Sequence, residues 1–182
     1  MRADSESESE FEQEKGDFFK EPLSKVTQEE MEENDMYGSI GALTFISDVH
    51  QIQPATAFLV SEDTIITAAH AVCSKNGTWY TGHKFYPGIN GQLIRDHPFH
   101  TPETIHVPKE YFNKESRAGC DYAFIKLSKP VQNAKCLLLG VNFTRLESSV
   151  NICGYAYNHH ENFNHANCQP ADYRFHQYQR TD

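Results

Sequence analysis

The sequence lacks several features that would point to common classes of protein. No apolar run approaches the ~18 residues that a membrane-spanning helix needs, so we predict no membrane partner. The sequence has no stripe of Lys and Arg residues that would bind nucleic acid, so we predict no nucleic-acid partner. The opening "MRADSESESE" has no apolar segment after it and is therefore not a signal peptide. Either the protein stays inside the cell or the true N-terminus lies further upstream.

The net negative charge of the sequence is confined to its beginning. Residues 1–35 hold 13 acidic and 4 basic side chains, whereas the rest of the chain holds 12 of each. Such a segment cannot bury enough apolar area to offset its ordering entropy, so we expect residues 1–35 to be a disordered arm. Two interpretations of this arm remain: a solubilising or propeptide-like tail, and an arm that binds a specific partner. Thr27 and Glu30 form a capping-box pattern that would start one short helix.

From residue 36 onward the sequence changes to short β-type runs separated by turn signals. Regularly spaced short strands with Gly and Pro between them predict an all-β sandwich or barrel, and no helix-period stretch or internal repeat competes. The runs include "YGSIGALTFI" (37–46), "ATAFLV" (55–60), "TIITAA" (64–69), "HKFYPGING" (83–91), "ETIHV" (103–107) and "DYAFIKL" (121–127).

Two of these runs carry residues of chemical interest. "TIITAAH" ends in His70, and "DYAFIKL" begins with Asp121 and places Ala123, Ile125 and Leu127 on one face at period two. A histidine at a strand end is usually structural, and an aspartate before a strand is often a turn residue. A β-barrel can nevertheless bring the two together although they are far apart in sequence.

The two runs together resemble the chymotrypsin/trypsin-like serine proteases. In that family the histidine follows Thr-Ala-Ala, and the aspartate opens a strand of the form Asp-x-Ala-x-x-x-Leu. The resemblance implies a double β-barrel, with a first barrel over residues 36–130 and a partial second barrel over residues 131–182. It also implies that His70 is a general base and that Asp121 is the carboxylate that orients it.

Further landmarks resemble the bacterial glutamyl endopeptidase branch of that family. They are "YPGING" (86–91), "VPKEYF" (107–112) and "GYA" (154–156), in the family's order. The resemblance implies a secreted serine endopeptidase that acts on protein or peptide substrates, works as a monomer and needs no cofactor or metal.

The family's nucleophile is missing from the sequence. The family places its serine in Gly-x-Ser-Gly, but the serines after Asp121 are only Ser128, Ser148 and Ser149, and none lies in such a turn. Cys153 lies in an apolar strand and is interpreted as an inert buried thiol. We therefore expect the chain to stop shortly before the nucleophile and to be inactive as written. The alternative is a non-catalytic protease homologue that acts by binding or regulation.

Other polar residues offer competing interpretations. Asp63 and Asp96 are rivals for the acidic role, but neither opens an Ala-x-x-x-Leu strand. A third function, a zinc-binding β-domain, would use the histidine-rich run "HHENFNHANC" (159–168) and His176 beyond it. The spacing of these residues matches no common zinc-finger pattern. The zinc ligands would be His159, His160, His165, Cys168 and His176. The remaining histidines are interpreted as surface or turn residues: His83, His97, His100 and His106.

The five cysteines leave at least one thiol without a partner within the chain. The family often pairs a cysteine just after the histidine with one upstream, but Cys73 is the first cysteine here. Because Cys73 and Cys120 flank the two motifs that the resembled fold would bring together, a bridge between them is our hypothesis.

Overall fold

The structure is a computed structural model, and it describes residues 24–90, 96–113, 119–140, 150–155 and 176–180. Within these residues the chain forms nine strands, one α-helix and three short 3-10 helices. The strands are β1 (Ser24–Lys25), β2 (Ile40–Ile46), β3 (Ile52–Ser61), β4 (Thr64–Thr67), β5 (Thr81–Pro87), β6 (Pro102–His106), β7 (Ala123–Leu127), β8 (Val150–Gly154) and β9 (His176–Arg180). The helices are α1 (Gln28–Glu33) and the 3-10 turns Tyr37–Ser39, Ala69–Ala71 and Lys109–Phe112. No described helix is long and apolar enough to span a bilayer.

Six of the strands form one antiparallel sheet that closes on itself. Its order is β5-β2-β3-β4-β7-β6, which leaves β5 and β6 as the edges. Phe85 of β5 exchanges two main-chain hydrogen bonds of 2.8 Å with His100, two residues before β6. The two edges are thereby joined, and the sheet encloses a core as a barrel does. The all-β prediction and the first barrel are confirmed.

The barrel core is filled by alternating residues of its strands. Ala123, Ile125 and Leu127 of β7 are all buried, as the period-two pattern predicts. Facing strands contribute residues that are equally enclosed: Leu43, Phe45, Ala57, Leu59, Ile65 and Phe85.

The second part of the fold is a three-stranded sheet of order β1-β9-β8. Tyr155, which follows β8, ties this sheet to the first barrel. Its backbone N–H donates to Thr56 Oγ1 at 2.9 Å, and its hydroxyl donates to Ile89 O at 2.7 Å. Burial raises the pKa of the Tyr155 hydroxyl, so this group stays a neutral donor. The start of the second barrel is therefore fixed against β3 and against Ile89, two residues after β5.

The N-terminal segment is more ordered than its charge predicts. The capping box of Thr27 and Glu30 forms as expected and starts α1. Residues 24–35 were expected to belong to the disordered arm, yet they pack on the fold. The reason is Val26, which is 4% exposed. Its burial provides an apolar contact that the acidic composition of the segment does not indicate. Residues 1–23 of the predicted arm lie outside the described residues.

Gly41 tests how tightly β2 packs on β5. A Cβ at Gly41 would lie 2.5 Å from Tyr86 O and against the Phe85 ring, and a main-chain atom cannot move aside cheaply. We expect Gly41→Ala to lower the free energy of unfolding by about 1–3 kcal/mol, the usual cost of overpacking. Gly38→Ala is the matched control, because a Cβ there meets nothing within 4 Å. Urea denaturation measures both, and equal midpoints for the two variants would contradict the packing argument.

Candidate active site

His70 is presented by a single 3-10 turn that follows β4. Ala69 and Ala71 on either side of it are buried, whereas the His70 side chain is 66% exposed. The small alanine side chains let the turn pack closely on the barrel, and this packing pushes the imidazole outward. The strand therefore positions the histidine, as its place at the end of "TIITAAH" indicates.

Asp121 reaches the same end of the sheet along a different strand. β4 and β7 pair antiparallel, with Thr67 opposite Ala123. The end of β4 therefore lies beside the start of β7. His70 comes three residues after Thr67, and Asp121 comes two residues before Ala123. The register of one strand pair thus joins two residues that are 51 positions apart in sequence.

The Asp121 carboxylate holds His70 through both of its oxygens. Oδ2 lies 2.7 Å from the His70 ring nitrogen Nδ1, and Oδ1 accepts the His70 backbone N–H at 3.0 Å. A carboxylate can only accept, so the proton between the two side chains belongs to Nδ1. In the neutral imidazole this leaves Nε2 as the unprotonated nitrogen, which is the state that a general base needs.

The protonation of Asp121 is set by opposing effects. Partial burial raises its pKa, but the hydrogen bonds from the His70 ring, the His70 backbone and the Ala69 backbone outweigh burial and hold the pKa below its ordinary value. The group is therefore an anion at neutral pH. An ionised carboxylate beside an imidazole is suited to stabilise the imidazolium that forms when Nε2 takes up a proton.

Comparison with known proteins identifies the family. Residues 34–173 match the family model of trypsin. The chain belongs to the trypsin family. The predicted resemblance to this family is therefore confirmed. A comparison with curated proteins gave no match.

Solved structures with the same fold are numerous. A structure of Glu endopeptidase in complex with MPD is 19% identical, with a TM-score of 0.63, over 88% of this chain and 69% of that one. The protease Anisep from Arthrobacter nicotinovorans is 14% identical, with a TM-score of 0.59, over 81% of this chain and 65% of that one. GrC is 12% identical, with a TM-score of 0.62, over 86% of this chain and 63% of that one. This trypsin-family chain thus spans about two thirds of the length of these structures. Because the sequence identities are this low, the likeness shows a shared fold alone.

The rival acids and nucleophiles lie elsewhere or have other roles. Asp63 accepts from the hydroxyls of Ser61 and Thr64 and pairs with Lys126 Nζ at 3.3 Å, so it is a turn residue. Ser128 exchanges a hydrogen bond with Thr101 at 3.0 Å. Burial raises the pKa of the Cys153 thiol, which makes it a poor nucleophile. Ser148 and Ser149 lie outside the described residues.

The zinc hypothesis falls mostly on residues that the structure does not describe. His159, His160, His165 and Cys168 all lie outside the described residues. In the part of the chain that is described, no three metal-binding side chains come together.

His83 was interpreted as a surface or turn residue, and this interpretation is wrong. Its side chain is buried at 5% exposure, and its ring nitrogen Nε2 lies 3.2 Å from Ala71 O, next to His70. The signal that could have shown this is the period of β5, where His83 and Phe85 share the inward face. A histidine in that register is as buried as its apolar neighbours.

The predicted bridge between Cys73 and Cys120 is absent, since both are free thiols. The Cys73 thiol points back along its own turn, 3.7 Å from Ala69 O, and it is fully buried. Burial and the Asp121 charge raise its pKa, so the thiol stays protonated.

The cysteine arrangement predicts a pattern of alkylation by iodoacetamide. We expect Cys136, which is exposed, to react in the native protein, and Cys73 to react only after unfolding. Peptide mass spectrometry reads out both sites. A cross-linked peptide that contains Cys73 and Cys120 would overturn the free-thiol assignment.

Asp121→Asn tests the bidentate contact through its pH dependence. Because the folded-state pKa of Asp121 is depressed, its stabilisation is complete above the ordinary carboxyl pKa of about 3.9 and is lost as pH falls through the folded-state value. We therefore expect the variant to be less stable than the wild type at pH 7, by a difference that shrinks towards pH 3. Urea midpoints at pH 7, 5 and 3 measure the difference.

Asp48→Asn, at an exposed position in the β2–β3 turn, is the control and should change neither midpoint nor pH profile. A difference between Asp121→Asn and wild type that stays constant down to pH 3 would show that the carboxylate charge does not stabilise this contact.

Proposed function

We propose that the chain carries the general base and the orienting acid of a serine endopeptidase. His70 is the base and Asp121 is the acid. The observation that carries the proposal is the two-point contact, in which one carboxylate binds both the ring Nδ1 and the backbone N–H of His70. A surface ion pair formed by chance would not fix the backbone as well as the ring.

The chemistry follows from the protonation states of the pair. A serine hydroxyl is a poor nucleophile at neutral pH until a neighbouring base takes its proton. Nε2 of His70 accepts that proton as the serine oxygen attacks the peptide carbonyl, and it later delivers the proton to the leaving amine. Asp121 stays ionised throughout and stabilises the imidazolium between the two transfers.

The nucleophilic serine that this chemistry needs is not identified in the sequence. No Gly-x-Ser-Gly occurs within the 182 residues. The substrates that the family implies are proteins or peptides. Export from the cell, a monomeric state, and the absence of membrane and nucleic-acid partners are part of the proposal. Cleavage specificity is not, because the likeness to a Glu endopeptidase structure concerns the fold.

A non-catalytic homologue is the second candidate function. The observation that favours it is the same absence of a glycine-flanked serine after Asp121. In such a protein the His70–Asp121 contact would hold the end of β4 against the start of β7 without chemistry. Its function would be the binding of a protein partner.

The deciding experiment begins with the natural transcript and its complete protein product. We expect the transcript to continue into Gly-x-Ser-Gly and the product to react with a fluorophosphonate probe and hydrolyse peptide esters. His70→Ala should then lower kcat by about 10⁴–10⁶-fold, because no base remains to activate the serine.

His106→Ala is the matched control, since His106 is an exposed histidine in the same barrel and should leave kcat within a factor of about two. A product that hydrolyses esters equally well with Ala at position 70 would refute the assigned roles. A transcript that encodes no such serine, with a product inert to the probe, would support the non-catalytic homologue instead.

A further inference from the structure

The turn that carries His70 is too short to satisfy its own carbonyls. Within the turn, Ala68 O accepts the N–H of Ala71, and Ala69 O accepts the N–H groups of Val72 and Cys73. The carbonyls of Ala71 and Val72 point beyond the turn and need donors from elsewhere. Buried carbonyls without a donor are costly, so whatever supplies those donors also sets the position of the turn.

Both donors come from β5 and the residue before it. The Tyr80 backbone N–H donates to Val72 O at 2.9 Å. The His83 ring donates from Nε2 to Ala71 O, 3.2 Å away. A carbonyl can only accept, so the His83 proton is on Nε2. Burial lowers the pKa of His83, which keeps the ring neutral and in this single role.

The His83 ring has little freedom to move. It stacks on Phe45 with centroids 5.8 Å apart and planes 20° apart, and Phe45 in turn stacks on Tyr80 at 5.2 Å. A ring held on its face by an aromatic neighbour and at its edge by a hydrogen bond is a fixed support. An apolar side chain would fill the same volume without burying a polar group, so the imidazole has a role beyond packing.

We propose that His83 is a positioning residue for His70. It fixes the Ala71 carbonyl, and through the backbone of the short 3-10 turn it holds the His70 N–H and ring in place for Asp121. This inference rests on the proposed function, because positioning has a catalytic meaning only if His70 is a base. Its structural content, the coupling of the His83 ring to the His70 backbone, can be tested without any turnover.

The first arm of the test uses NMR on the ¹⁵N-labelled 182-residue chain. In the wild type we expect a slowly exchanging His83 Nε2–H proton with a nuclear Overhauser contact to Ala71. His83→Leu removes the donor and should speed exchange of the His70 amide by about tenfold, the factor expected from the loss of one hydrogen bond. His83→Gln keeps an N–H donor and should restore slow exchange.

His100→Leu is the matched control. It removes a ring-to-carbonyl hydrogen bond of the same kind, from His100 Nδ1 to Lys129 O at 3.1 Å, near the opposite end of β7. Amides of the barrel core report any general loss of stability, so the His70 amide is read relative to Ile125. We expect His100→Leu to leave that ratio unchanged.

The second arm uses the complete protein product in a peptide-ester assay. We expect His83→Leu to lower kcat while KM stays constant, and His83→Gln to recover most of the loss. If the product has no activity with any variant, the proposed function fails, and the NMR arm still decides the coupling.

Three results would overturn the inference. The first is the absence of a protected Nε2–H on His83 in the wild type. This measurement needs no variant, so it decides the question even if His83→Leu does not fold. The second is His70 amide exchange in His83→Leu equal to wild type after scaling to Ile125. The third is an equal loss in His83→Leu and His83→Gln, which would show that volume and not the donor matters.

Discussion

The antiparallel pairing of β4 with β7 is the constraint on which the site depends. With Thr67 opposite Ala123, the turn after β4 and the residue pair before β7 have to meet at one end of the barrel. A slip of either strand by one residue would turn the buried face of that strand outward, so the barrel core enforces the register. The contact between His70 and Asp121 is thus a by-product of core packing, and it is protected by the stability of the whole sheet.

A second level of support fixes the orientation of the histidine. Asp121 binds the His70 ring and its backbone N–H from one side. From the other side, His83 of β5 donates to the carbonyl of Ala71, and Tyr80, the residue before β5, donates to the carbonyl of Val72. The short turn is therefore held from two directions, by Asp121, which is 51 positions from His70 in sequence, and by Tyr80 and His83 at the start of the next strand. An exposed side chain can be well positioned in this way, because its backbone is fixed even though its ring faces water.

The local features of the chain were predictable where periodicity or a cap decides the structure. The burial of Ala123, Ile125 and Leu127 follows from alternation, and α1 follows from the capping box of Thr27 and Glu30. Prediction failed where composition conceals a contact. Val26 lies in an acidic segment but is buried, and the Cys73 thiol lies against Ala69 O instead of forming a bridge to Cys120.

By itself the sequence determined the all-β class, the family and the two residues of the candidate pair. These depend on short patterns, namely the period of a strand, "TAAH" and the aspartate that opens "DYAFIKL". Only the tertiary structure decided that the His83 ring lies against the turn that carries His70, that Cys73 and Cys120 remain free and that the segment from residue 24 packs on the fold. The physical reason is that these outcomes depend on which distant strands become neighbours, and a local pattern contains no information about that.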